Sequence, residues 1–153
     1  MSAADTLHSL DERLDALESQ QAIARLVAEY AHGFDGRDVG RFMAIWHEDA
    51  MYDLAEFGGR RDGLDAIGAA VDELWAAFPG THHWMVNLAI DVDGDRGAGA
   101  CHALVFPVDA DEQVDAVALT YEDAFERRDG RWGFVERRVL LHHVVPLATR
   151  APA

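Results

Sequence analysis

The sequence predicts an α+β domain, and three observations carry this prediction. In the first half of the chain, apolar residues recur at spacings of three and four, which is typical of helices that bury one face. From residue 81 onward the pattern changes to long β-type segments separated by short turn signals. Half of the 153 residues are apolar, which is enough for one core without disulfides. We therefore expect helices first, followed by a curved antiparallel sheet that buries one face against them.

Three helices are expected before residue 80. Gly33 and Gly36 end the first of them, because glycine commonly closes a helix. Pro79 and Gly80 stop the last one. The predicted helices cover residues 5–30, 39–46 and 64–78, and a brief strand is expected at 51–54.

Four long strands are expected after the helices. Two of their three connections contain an Asp-Gly pair, Asp93-Gly94 and Asp129-Gly130, which is typical of tight hairpins. The remaining connection is a polar loop at 109–113. The expected strands cover residues 81–92, 97–108, 114–128 and 131–145. Consecutive strands joined in this way form a meander.

The charge balance excludes some partners. Thirteen Lys and Arg residues stand against 28 Asp and Glu residues, so the net charge is −15 and the isoelectric point is near 4.7. Such a field repels phosphate backbones and anionic lipid, so we expect neither a nucleic acid nor a membrane as partner. Cys101 has no second cysteine to pair with, and no leader-like or 18-residue apolar stretch is present. We therefore expect a cytoplasmic protein.

The histidines are the residues most suggestive of chemistry. If His83 faces the interior of the sheet, strand alternation sends Met85 and Asn87 inward with it and turns His82 outward. A zinc site of His82, His83 and His102 is disfavoured because adjacent strand residues point apart. We expect no metal and no cofactor. From spacing alone, His83 fits a satisfied core histidine as well as a catalytic base.

Asp35 is the acidic residue that could serve such a base. It follows the first helix, where an aspartate commonly caps a helix or forms a turn. A partly buried carboxylate beside an imidazole would instead fix the tautomer of the imidazole and stabilise its protonated form. The residues alone leave both readings open.

Several motifs resemble a known family over about residues 20–145. The chain is similar to SnoaL-like domains of the nuclear transport factor two superfamily, in particular to the branch of scytalone dehydratase, hexachlorocyclohexane dehydrochlorinase and the bile acid dehydratases. The resemblance implies a cone-shaped α+β barrel that encloses a deep apolar pocket. It also implies a single domain over residues 1–153, with a helical extension at about 1–20. The motifs are Phe34-Asp35-Gly36-Arg37-Asp38, Ala44-Ile45-Trp46-His47-Glu48-Asp49-Ala50, His83-Trp84-Met85-Val86-Asn87-Leu88 and Glu126-Arg127-Arg128-Asp129-Gly130-Arg131-Trp132.

The resemblance also implies a set of site residues. The catalytic aspartate and histidine of the branch fall on Asp35 and His83, and a pocket tyrosine falls on Tyr30. The arginine that assists a departing anion in the dehydrochlorinase falls on Arg137. Tyr30 stands where the dehydrochlorinase has a helix lysine, which argues against halide elimination. The remaining expected substrate-binding residues are Tyr52, His102, Tyr121, Trp46, Met85 and Asn87.

These residues together favour a cofactor-independent lyase that acts by dehydratase-like elimination on a small hydrophobic, cyclic substrate. The alternatives are a non-catalytic ligand-binding or assembly module of the same fold, and an isomerase or cyclase that uses the same pocket. We also expect a homodimer or homotrimer. Two apolar surfaces suggest it, a leucine stripe of Leu7, Leu10, Leu14 and Leu17, and a sheet face with Trp84, Val86 and Leu88.

Overall fold

The structure, a computed structural model, describes residues 3–147, with side chains described from residue 8 onward. This part of the chain contains three helices and six strands, and a 3₁₀ turn at Ala55–Phe57 lies between the first two strands. The helices are α1 (Ala3–Asp35), α2 (Val39–Met43) and α3 (Leu64–Ala77). The strands are β1 (Trp46–Asp53), β2 (Arg60–Asp62), β3 (His83–Asp93), β4 (Arg96–Val105), β5 (Val114–Arg128) and β6 (Arg131–Leu147).

One sheet contains all six strands, in the order β2-β1-β6-β5-β4-β3. Strands β3 to β6 form the expected antiparallel meander, and β1 joins β6 in parallel. The helices cover one face of this curved sheet, and the largest buried side chains lie between the two layers. The α+β prediction is therefore confirmed.

The helices bury the faces that their sequence spacing predicts. In α1 the fully buried residues Ile23, Val27, Tyr30 and Phe34 recur at intervals of four, three and four, so they form one stripe against the sheet. Gly33 lies within α1 instead of ending it. A Cβ at this position would sit 2.8 Å from the backbone nitrogen of Phe42, so a larger residue would clash with α2. This close approach lets α2 pack directly on the last turns of α1. No helix within residues 3–147 combines the length and the apolar character that crossing a membrane requires.

Two local predictions before residue 64 are wrong. The second helix ends at Met43, and Trp46 begins β1 instead of completing the helix. The strand expected at 51–54 is the second half of this longer β1, and the short strand β2 was not expected. Trp46 pairs with Phe134 of β6, a residue that is distant in the chain. Periodicity within a short segment cannot reveal such a partner, and tertiary pairing overrides the local helical spacing.

A bulge in β3 changes which residues face inward. Asn87 adopts a left-handed backbone with φ of 53°, and the register with β4 shifts between Val86 and Ala89. One extra residue at a bulge reverses the alternation beyond it. Asn87 is therefore exposed, whereas Leu88 packs inward against the core. The expected inward position of Asn87 and outward position of Leu88 are both wrong.

We expect this chain to form an oligomer through the leucine stripe of α1. Leu10, Leu14 and Leu17 are 50%, 54% and 64% exposed in the single chain, and exposed apolar stripes of this kind mark association surfaces. The side chain of Leu7 lies outside the described residues. Light scattering should return at least twice the chain mass of 16.9 kDa.

A charged pair in the stripe should weaken this association. We expect the double variant Leu14→Glu with Leu17→Glu to shift the measured mass toward that of one chain. Val39 is 52% exposed on α2, outside the stripe, and Val39→Glu is the matched control. A single-chain mass for the unaltered protein across micromolar concentrations would contradict the prediction.

Candidate active site

A largely apolar pocket opens between the helices and the inner face of the sheet. It encloses about 530 Å³, a volume that includes its open mouth. Ten of its fifteen lining residues are apolar. The other five are Thr81, His83 and the three tyrosines Tyr30, Tyr52 and Tyr121. Polar chemistry in this pocket is therefore concentrated on one imidazole and a few hydroxyl groups.

Asp35 and His83 meet at the pocket. Nδ1 of His83 lies 2.6 Å from Oδ1 of Asp35, and the backbone N–H of His83 donates to Oδ2 at 2.7 Å. The hydroxyl of Thr81 donates to Oδ1 at 2.9 Å. The side chains of His83 and Asp35 are only 5% and 18% exposed. One carboxylate thus binds both the backbone and the ring of the same histidine, which fixes the orientation of the imidazole.

The chain reaches this arrangement from two element ends. Asp35 is the last residue of α1, and His83 is the first residue of β3. Beyond Asp35, the Arg37 guanidinium donates to the backbone carbonyls of Trp75 and Phe78 at the end of α3. The indole N–H of Trp75 donates back to the carbonyl of Phe34 at 3.1 Å. These contacts tie the C-terminal end of α1, which carries Asp35, to the end of α3.

The hydrogen bonds determine the protonation of the pair. Burial raises the pKa of Asp35, but the hydrogen bonds from His83 and Thr81 outweigh burial and hold that pKa below its usual value. An ionised Asp35 can only accept hydrogen bonds, so Nδ1 of His83 carries the hydrogen between them. In a neutral imidazole, Nε2 then has a free lone pair. His83 is thereby set up to accept a proton at Nε2.

The three tyrosines form a second polar group in the pocket, here called the tyrosine cluster (Tyr30, Tyr52 and Tyr121). The hydroxyls of Tyr30 and Tyr52 are 2.6 Å apart, and that of Tyr121 lies 3.4 Å from the Tyr30 hydroxyl. Burial raises the pKa values of Tyr52 and Tyr121 well above 10. The ring of Tyr30 stands edge-on to the imidazole of His83, with centroids 5.8 Å apart. The cluster therefore supplies protonated hydroxyls close to the histidine.

Arg137 lies behind the tyrosine cluster and does not line the pocket. Its Nε and Nη2 atoms donate to the two carboxylate oxygens of Asp123 at 2.7 and 2.8 Å, and both side chains are fully buried. Burial acts to lower the pKa of Arg137, but the Asp123 carboxylate outweighs it and the pKa is raised. The expectation of a guanidinium that faces the substrate is wrong, because β5 places a buried carboxylate opposite Arg137.

Three further expected substrate contacts lie away from the pocket lining. His102 lies on the exposed face of the sheet, where its Nδ1 accepts from the side-chain amide of Asn87 at 3.2 Å. The bulge in β3 puts Asn87 on that face. Trp46 is buried, but it packs against Phe134 and Tyr52 beneath the pocket wall. Its position follows from the pairing of β1 with β6.

Met85 is nearer the pocket but still outside its lining. It points inward from β3 and packs against the core, as alternation from His83 predicts. Among residues 8–147, no three His, Cys, Asp or Glu side chains are grouped closely enough to share a metal ion.

Sequence reasoning missed Thr81 and Asp123. Thr81 lies two residues before His83, so an extended backbone puts both on the same side, and this spacing was an available signal. Asp123 lies two residues after Tyr121 on the same face of β5, which was an equally simple signal. Its pairing with Arg137 depends on the register between β5 and β6, which the local pattern does not specify.

We expect the interactions of Asp35 to give the fold an acid-sensitive contribution. The pKa of Asp35 is lower in the folded chain than the value of about 3.9 for an unfolded aspartate. The stabilisation is therefore complete above the unfolded value and is lost as the pH falls through the folded one. Urea unfolding of the wild type and of Asp35→Asn should differ most near neutral pH, and the difference should shrink below about pH 4. A constant difference between pH 7 and pH 3 would contradict this.

Comparisons with known proteins show what the chain resembles. Residues 15–138 match the family of SnoaL-like domains. Over 138 residues the chain is 30% identical to the gamma-hexachlorocyclohexane dehydrochlorinase of Sphingobium indicum, a match that covers 88% of each protein. A crystal structure of a type 2 hexachlorocyclohexane dehydrochlorinase has a TM-score of 0.84 at 30% identity and covers 92% of this chain and 97% of that one. A type 3 enzyme from Novosphingobium barchaimii has a TM-score of 0.83 at 28% identity, with 92% and 98% covered.

Proposed function

The chain belongs to the family of SnoaL-like domains, and on that premise we propose that it is a cofactor-independent lyase that removes water from a small, hydrophobic, cyclic substrate. The observation that carries the proposal is the contact between His83 and Asp35 in an apolar pocket whose remaining polar groups are mainly tyrosine hydroxyls. An elimination needs a base and a proton donor that act on the same substrate molecule.

The first half of the reaction is removal of a proton from carbon. Nε2 of His83 accepts this proton, and Asp35 stabilises the imidazolium through the hydrogen bond at Nδ1. The electrons of the broken C–H bond move toward the neighbouring carbon and form the double bond. A positioned base of this kind contributes about 10² to 10⁴ in rate.

The second half is departure of the hydroxyl group. The C–O bond breaks with its electron pair going to oxygen, and a hydroxyl of the tyrosine cluster donates a proton, so that the oxygen leaves as water. His83 then loses the proton that it took from carbon, and the tyrosinate gains one. Both groups thereby return to their starting state. The tyrosine hydroxyls are the proton donors of the pocket lining, and the ring of Tyr30 lies beside the imidazole of His83.

The similarity to dehydrochlorinases supports elimination as the reaction class. The leaving group proposed for this chain differs. A departing halide leaves as an anion and is stabilised by positive charge or N–H donors, whereas a hydroxyl group leaves readily only when it is protonated. The pocket lining within the described residues has hydroxyl donors and no arginine or lysine. A neutral substrate also suits this lining, because none of its fifteen residues is an aspartate, glutamate, lysine or arginine.

Cyclic β-hydroxy ketones are the class to test first, because their carbonyl acidifies the C–H bond that His83 must break. We would incubate the protein with a panel of these compounds in D₂O and follow the products by mass spectrometry. Loss of one water from a panel member, abolished in His83→Ala, is the expected result. Native mass spectrometry of the protein as purified would identify any co-purified pocket ligand and extend the panel.

Other outcomes would replace the proposal. Chloride release from γ-hexachlorocyclohexane, without dehydration of the ketones, would make the chain a dehydrochlorinase. A rearranged product of the same elemental composition, formed without loss of water and absent with His83→Ala, would indicate an isomerase. Binding of panel members with neither reaction would indicate a ligand-binding module.

A further inference from the structure

The buried ion pair between Arg137 and Asp123 has no place in the elimination described above. Both side chains are fully inaccessible to solvent, and they form two parallel hydrogen bonds. Burying such a pair carries a desolvation penalty, and a well-packed apolar pair is often at least as stabilising. Stability alone therefore gives no reason for two charges at this position.

The surroundings of the guanidinium suggest what the pair does. The Cζ atom of Arg137 lies 4.1 Å from the ring centroid of Tyr30 and 4.2 Å from that of Tyr121. The ring of Phe134 is a third neighbour, at 4.5 Å. A cation on the face of an aromatic ring is attracted to it, most strongly where water is excluded. The guanidinium thus contacts two of the three rings whose hydroxyls meet in the pocket.

The two sides of the Arg137 guanidinium have different surroundings. Asp123 binds the Nε and Nη2 edge of Arg137, while Nη1 is buried without a hydrogen-bond partner in the described part of the chain. The positive charge opposes the effect of burial on the pKa of Tyr121 more strongly than the negative charge of Asp123 reinforces it. Tyr121 therefore experiences chiefly the positive end of the pair.

We propose that Arg137 and Asp123 are positioning residues that align Tyr30 and Tyr121 and strengthen their hydroxyls as proton donors. This inference rests on the proposed function, in which the cluster protonates the leaving oxygen. Arg137 favours the tyrosinate that forms when the proton leaves, because that anion is held beside a cation. Asp123 keeps the guanidinium in contact with the rings and partly offsets its positive charge.

The chain offers a selective probe, because Tyr30, Tyr52 and Tyr121 are its only three tyrosines. Incorporation of 3-fluorotyrosine therefore gives three ¹⁹F resonances that all belong to the cluster. The fluorinated phenol ionises at lower pH than tyrosine, which offsets part of the raised pKa values of Tyr52 and Tyr121. This readout needs no substrate.

The central variant replaces the ion pair with apolar residues, Arg137→Met with Asp123→Leu. We expect it to fold and to raise the titration midpoint of at least one cluster resonance by about one pH unit, because the nearby cation is gone. Its kcat on a dehydrated panel member should fall roughly 10-fold or more, with KM changed less than about twofold. The matched control is Arg138→Met with Glu136→Leu, an exposed pair on the same strand, which should change neither quantity.

A second variant reverses the sign of the effect. Asp123→Asn keeps the shape of the side chain but leaves the guanidinium uncompensated, so the cluster midpoints should fall instead of rise. Midpoints that stay unchanged in both variants would overturn the proposal and leave the pair a purely structural feature. Shifted midpoints with an unchanged kcat would also overturn it. If the wild type dehydrates no panel member while the midpoints shift in the two opposite directions, the proposed function has failed and the effect of the pair on the tyrosines stands.

Discussion

His83→Ala and Asp35→Asn should each lower turnover of the true substrate at least about 10²-fold. The double variant should be only slightly less active than the less active of the two single variants. The reason is that the two side chains act through one hydrogen bond of 2.6 Å. Without the imidazole, the carboxylate has no base to orient. Without the carboxylate, the imidazole loses the partner that fixes its tautomer and stabilises its protonated form.

Steady-state kinetics of the three variants will test this non-additivity. His82→Ala is the matched control, because His82 is the adjacent histidine and lies on the exposed side of the chain. It should leave turnover unchanged. Circular dichroism should show that all the variants are folded. If the effects of the two single variants multiply in the double variant, the side chains act independently and the dyad mechanism is wrong.

Arg137→Met alone should lower the free energy of unfolding by about 3–5 kcal/mol, because it leaves the Asp123 carboxylate buried without a partner. Asp123→Leu alone should lower the free energy of unfolding by a similar amount, because it leaves the Arg137 guanidinium buried without a partner. The double variant should recover most of the loss, since it leaves no uncompensated charge. Urea unfolding monitored by tryptophan fluorescence measures all three.

The exposed pair Arg138 and Glu136 on β6 provides the comparison. Its side chains are 52% and 35% exposed, so removing either should cost no more than about 1 kcal/mol. The prediction would be contradicted if the double variant at residues 137 and 123 lost as much free energy of unfolding as the two single variants together. That result would mean that each side chain contributes through packing and that their charges are not coupled.

Local pattern was sufficient for the features that depend on neighbours in the chain. The helical spacing of Ile23, Val27 and Tyr30 predicts the face that α1 buries. The Asp129-Gly130 pair predicts a hairpin, and both residues have the positive φ values of a tight turn. The resemblance drawn from short motifs is confirmed by the family match over most of the chain.

Features that depend on distant pairing were not predictable in this way. Trp46 starts a strand because β6 lies beside it, and nothing in residues 39–46 indicates this. A single bulge at Asn87 reverses the facing of the rest of β3, so alternation counted from His83 fails beyond Met85. Arg137 falls at the expected position of the chain, yet Asp123 on the neighbouring strand neutralises it. In each case the residue was identified, but its partner lies on another strand.

Helix α1 carries both Tyr30 and Asp35, five residues or about 7.5 Å apart along its axis. One helix therefore sets the separation between the group proposed to protonate the leaving oxygen and the group proposed to support the base. Because Tyr30 lines the pocket whereas Asp35 binds His83 beside it, a substitution at residue 30 should alter the pocket wall while the contact between Asp35 and His83 stays intact.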